Sequence, residues 1–177
     1  MESNDRLSEI YSLRFLGQNY LALGDTSSAF QQYSRAYEIL KEVDFPPGRV
    51  FILSKYAKLM LDQGKIAQAK DTLMTIIGKE SYEAGDRFAV SIYLGECEVR
   101  LGEVDKGLKR IETVLDSLDI VQTYCVKVEG LYILGDLLIL LDRKSEASAI
   151  INKGSELAAR AGMKGEIKRF EALKGKL

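Results

Sequence analysis

The chain has 177 residues, 46% hydrophobic and 29% charged, a composition that supports a folded domain with a real core and excludes a disordered polymer. Lys and Arg number 25 against 26 Asp and Glu, so no global field draws the chain to nucleic acid or to an anionic membrane. With no His at all, the commonest general base and the commonest metal ligand are both missing.

The first stretch, "MESNDRLSEI", is polar and lacks the apolar core of a signal peptide. Together with two lone cysteines, Cys97 and Cys125, that lack CxxC spacing, it points to a reduced, cytoplasmic setting with the thiols as small core residues. Helical periodicity then predicts paired helices at about 6–23 with 26–43, 50–63 with 66–79, 87–101 with 104–117, and 121–141 with 144–161. The break "DFPPGR" (Asp44 to Arg49) separates the first two pairs, because Pro47 cannot continue the helix before it. Asp25, Asp86 and Asp119 are expected as helix caps.

Through these pairs runs a schedule. Gly17, Ala57, Gly95 and Gly135 are separated by 40, 38 and 40 residues. Seven residues after each comes a turn residue (Gly24, Gly64, Gly102, Asp142), and twelve after each another small one (Ala29, Ala69, Gly107, Ala147). Four further on stands a large apolar residue: Tyr33, Leu73, Ile111, Ile151. Small residues at fixed points let two helix backbones approach where a Leu would hold them apart. A glycine at the turn accepts the left-handed conformation that ends a helix. Each unit therefore reads helix, tight turn, helix, and the chain is an internal repeat.

"GLYILGDLLILL" (Gly130 to Leu141) is the most apolar stretch, too short to span a bilayer and interrupted by Gly135 and Asp136. A covered or partner-facing side is expected for Tyr132, Ile139 and Leu140. In the last segment, "MKGEIKRFEALKGKL", Ile167, Phe170 and Leu173 make one apolar helical face, so a ninth helix at about 163–176 is predicted to cover the end of the stack. Its charges, Arg169 and Lys176 among them, read as an ordinary solvated face.

The first unit resembles the tetratricopeptide repeat (TPR) through Leu16, Gly17, Tyr20, Ala29, Tyr33 and Ala36, with Leu13 in the family's tryptophan slot. Later units depart from the pattern: Ser91 stands in the tryptophan slot of the third, Glu98 in its tyrosine slot, and Gly154 in the last alanine slot of the fourth. The period of 38–40 exceeds the usual 34, as in TPR-like arrays of bacterial regulators and scaffolds. The resemblance implies an all-α, right-handed α-solenoid of four helix-turn-helix TPR-like repeats (about 7–43, 47–80, 85–117 and 120–161) plus a C-terminal capping helix. It treats residues 1–177 as a single domain.

In that family the first helices line a concave groove for peptides or partner helices. Carried over by position, the binding residues are Tyr11, Arg14 and Gln18, then Phe51, Lys55 and Lys58, then Tyr93 and Glu96, and last Glu129, Tyr132 and Asp136. Positive charge at Arg14, Lys55 and Lys58 and negative charge at Glu96, Glu129 and Asp136 would give the groove opposite ends. The serines lack a histidine partner, the cysteines lack a base, and no GxxxxGK[ST] or GxGxxG loop is present. The reading is a non-enzymatic scaffold that binds a protein or peptide segment, with no cofactor, metal, nucleic acid or membrane, and with self-association or a larger parent chain possible. The alternative is a ligand- or partner-sensing domain of a larger bacterial transcriptional or signalling regulator.

Overall fold

A computed structural model describes residues 2–43, 46–77, 84–118 and 124–177. Among them every element is an α-helix: α1 (Glu2–Ala22), α2 (Thr26–Glu42), α3 (Pro46–Asp62), α4 (Ile66–Met74), α5 (Ala84–Arg100), α6 (Val104–Ser117), α7 (Tyr124–Leu140), α8 (Lys144–Arg160) and α9 (Lys164–Lys174). The fold class is thus all-α, built of helix-turn-helix repeats followed by a further helix. Internal packing divides the chain into two compact units, Met1–Tyr93 and Leu94–Leu177, with the division inside α5.

The turns show why the helices stop where they do. Gly24, Gly64, Gly102 and Gly162 have φ between 68° and 92°, and Asp142 has φ 57°, the one non-glycine in that region among the described residues. The next residue (Asp25, Lys65, Glu103, Arg143, Met163) donates its amide five residues back at 2.8–2.9 Å, satisfying a carbonyl that the helix end leaves open. This repeated turn joins α1 to α2, α3 to α4, α5 to α6, α7 to α8 and also α8 to α9. Asp25 adds a side-chain cap, accepting from the Ser28 amide at 2.9 Å, while the other four residues at that place make no such bond.

Packing within each hairpin follows the small-to-large schedule. A Cβ on Gly17 would lie 2.6 Å from the Tyr33 ring, one on Gly95 2.6 Å from Ile111, and one on Gly135 2.9 Å from Ile151. Tyr33, Leu73, Ile111 and Ile151 are all fully buried, as are Ala29, Ala69 and Ala147. The α8–α9 pair extends the device: Gly154 lies under Phe170, which with Leu173 is fully buried. The ninth helix therefore closes the fourth hairpin as expected.

Four expectations need correction. Asp86 lies in the first turn of α5 and does not precede it, while Asp119 falls outside the described residues. Helix α3 begins at Pro46, earlier than the expected residue 50, with both prolines in its first turn, where a missing N–H costs no helical bond. Helix α4 ends at Met74, earlier than its periodicity implied. Cys97 is a buried core residue, but Cys125 is exposed, and both are free thiols.

One regularity escaped the sequence reading. Arg49, eight residues before Ala57, donates to the carbonyls of Leu40 (2.7 Å) and Val43 (3.3 Å) at the end of α2. Lys127, eight before Gly135, is buried and donates to the Leu118 carbonyl at 3.0 Å, at the end of α6. In these two cases the first helix of a hairpin brings a cation to the negative end of the second helix before it. Arg87 occupies the same place in α5.

Candidate partner-binding faces

In the first unit the predicted residues come from α1 and α3. The Arg14 guanidinium stands 4.5 Å from the centroid of the Phe51 ring and 6.0 Å from that of Phe15, and the Lys55 ammonium lies 5.8 Å from Phe51. Two cations thus lie against one ring, an arrangement the negative ring faces stabilise. Neither Arg14 nor Lys55 is in an ion pair among the described residues. Lys58 is spent differently: it pairs with Asp62 one turn on. Gln18 and Phe51 are half-buried and Tyr11 is exposed.

Beneath this cluster lies Tyr33, whose hydroxyl and the Arg14 Nε are both buried without a hydrogen-bond partner. Burial pushes the Tyr33 hydroxyl up to about 12, opposed by the Arg14 charge, so it stays neutral and able to donate. The face holds cationic and donor groups around an aromatic ring, and among the described residues no carboxylate pairs with Arg14 or Lys55. Tyr93, assigned to the same kind of face, is buried at the end of this unit and does not offer an open anchor.

The second unit treats its predicted residues in the opposite way. Glu96 is buried and accepts from Arg100 Nε at 3.0 Å; the same guanidinium reaches Asp136 at 3.3 Å. Lys176, beyond α9, reaches the other Asp136 oxygen at 3.2 Å. Glu129 accepts from Arg169 at 2.8 Å, and Arg169 also holds Glu166 at 2.7 Å. The Arg169 guanidinium lies 4.0 Å from the Tyr132 centroid, and the Tyr132 ring meets Phe170 edge-on at 5.6 Å. Burial alone would lower the Arg169 pKa, but Glu129 and Glu166 outweigh it and hold the guanidinium charged.

So each of the three carboxylates expected to make a negative groove end is neutralised by a cation of the same unit. Arg169 and Lys176 are not a plain solvated face; they are the counter-ions. The spacing 169, 173, 176 places both beside the Phe170–Leu173 stripe of α9, and that flanking position was the available signal. Tyr132 is covered by α9, whereas Leu140 remains exposed. Among the described residues no group of three or more His, Cys, Asp or Glu side chains is placed to hold a metal ion, and no helix is long and apolar enough to cross a membrane.

Fold and faces together define a helical-repeat protein with one aromatic-cationic surface and one internally neutralised surface. No family model matches the chain, and no curated protein matches it. Among solved structures it is similar to the crystal structure of MamA, at 17% identity and a TM-score of 0.47, over 91% of this chain and 94% of that one.

Proposed function

We propose that the chain is a non-enzymatic scaffold that receives a protein or peptide segment on the α1–α3 face of its first unit. One observation carries this reading: Arg14 and Lys55 are held on the Phe51 ring with no carboxylate among the described residues to neutralise them. Cations fixed on an aromatic surface favour a partner segment with an acidic side chain beside an apolar one. Residues Tyr11, Gln18 and Lys58 flank that contact. Tyr93, Glu96, Glu129, Tyr132 and Asp136 support binding less well, because they are buried or already paired.

Photo-crosslinking tests the reading. A benzophenone amino acid in place of Phe51 should capture a partner, identified by mass spectrometry, while the same group at the exposed Gln31 on α2 should not. Lys55→Glu should then weaken that partner's binding about tenfold, roughly 1.4 kcal/mol, mostly by slowing association, and flatten its dependence on salt. Crosslinks confined to second helices would refute the face while leaving the fold untouched.

A further inference from the structure

We infer that the outer face of α1, centred on Phe15 and Leu16, docks a single amphipathic helix that presents aromatic side chains as α2 presents them to α3. Leu16 stands one residue before Gly17. At the same place before the small residue of the later hairpins stand Tyr56, Leu94 and Leu134, which are 7%, 1% and 2% exposed, whereas Leu16 is 44% exposed. Asn19 obeys the same rule: its counterparts Leu59, Cys97 and Leu137 are buried and it is exposed. So does Ser12, whose counterparts are Ile52, Val90 and Gly130. This is the face that is closed in each later hairpin, and α1 carries it open.

Tyr56 shows what closes it. The rings of Phe30 and Tyr37 lie 5.1 Å and 5.4 Å from its ring, and its hydroxyl donates to Ser34 Oγ at 3.2 Å. Phe30, Ser34 and Tyr37 are at i, i+4 and i+7, one stripe of one helix. The occupant of the α1 face is therefore a helix with aromatic, small polar and aromatic residues at that spacing.

The composition of the face fits a partner that comes and goes. Ser12 and Asn19 replace the large apolar residues of the internal seams and keep the face hydrated when empty. Phe15, 59% exposed, and Leu16 supply apolar area when it is filled. A second copy stacked head to tail offers no matching stripe, because α9 covers α8 with Phe170 and Leu173 and turns Lys164, Lys168, Glu171 and Lys174 outward.

The test uses the full chain and a labelled synthetic helix of the length of α2, 17 residues, with Phe, Ser and Tyr spaced as in α2 and Ala, Glu and Lys elsewhere. Fluorescence anisotropy should show binding in the micromolar range, weakened about tenfold or more by Leu16→Glu and by Phe15→Ser. Leu140→Glu, at an exposed site of the second unit, should leave binding unchanged. Circular dichroism should show all three variants folded, as their sites are exposed. Equal binding to the parent and to Leu16→Glu would overturn the proposal, as would no binding below millimolar concentration. Sedimentation showing a parent dimer that Leu16→Glu dissolves would replace the partner helix with a second copy and overturn it too.

Discussion

Gly107 offers the sharpest test of how the hairpins pack. It sits in α6, and a Cβ added there would lie 2.5 Å from the Gly95 carbonyl oxygen, 2.7 Å from Val99 Cγ2 and 2.8 Å from the Val99 amide nitrogen. Two of these three neighbours are backbone of α5, so no side chain can swing away to relieve the contact. Gly107→Ala must push α5 and α6 apart along the whole hairpin, and overpacking of this kind costs about 1–3 kcal/mol. Against it works the helix preference of Ala over Gly, roughly 1 kcal/mol in a helix interior. The net expectation is a loss of about 0–2 kcal/mol, or a melting point lower by up to about 8 °C for a chain of this size. Gly165→Ala is the control, since a Cβ there meets nothing within 4 Å. Propensity then acts alone, near the start of α9, and should stabilise by about 0.5 kcal/mol. Thermal and urea melts followed by circular dichroism would measure both. Should Gly107→Ala melt above the parent, as the Gly165→Ala control is expected to, the backbone contact between α5 and α6, and the repeat register built on it, would be wrong.

Three further outcomes follow from single residues. Asp142 holds φ 57° where the other four turns place glycine, so Asp142→Gly should stabilise by about 0.5 kcal/mol, and Gly64→Ala, strained at φ 76° with open space around it, should cost about 1 kcal/mol in urea melts. Glu98 is buried in the third hairpin; burial would raise its pKa, but hydrogen bonds from Arg110 (2.8 and 2.9 Å) and Lys106 (3.1 Å) outweigh it and hold the carboxyl below its usual range. A depressed carboxyl contributes stability that is present above the ordinary Glu pKa of about 4.3 and lost as pH falls below it. Glu98→Gln should therefore lose about 1–2 kcal/mol at neutral pH, leaving the partly solvated Arg110 without its partner, and show a shallower fall of melting temperature with acidification than the parent; parallel curves would count against the pairing.

How much of this could be read from the chain depends on the reach of each interaction. The hairpins were legible because their determinants are local: Gly17 and Tyr33 lie 16 residues apart, and the turn glycine stands between them. Glu98 registered only as a departure from the repeat pattern, and its reason appeared with Arg110, twelve residues on across the same hairpin. Glu96 finds Arg100 one turn on, but the state of Glu129 and Asp136 was not legible at all. Their counter-ions come from a repeat length away, Arg169 to Glu129 and Lys176 to Asp136 at 40 residues, Arg100 to Asp136 at 36. Periodicity placed those residues on the right helices, but it carries no information about which cation a neighbouring helix will lend.

That difference alters what kind of partner the proposed scaffold can select. A groove with opposite charges at its ends would ask for a segment with opposite charges at its own ends. In the second unit each acid has already found a base of its own, and a basic partner would have to displace Arg100, Arg169 or Lys176, exchanging one ion pair for another with little net gain. In the first unit Arg14 and Lys55 meet aromatic rings and, among the described residues, no carboxylate, so an incoming acid forms a pair without breaking one. The register explains how the two units came to differ. Arg14 occupies the place held by Ser54, Ile92 and Tyr132 in the later hairpins, so a cation at that place belongs to α1 alone. Affinity for an acidic segment should accordingly be removed by changes at Arg14 or Lys55 and be indifferent to changes at Glu129 or Asp136.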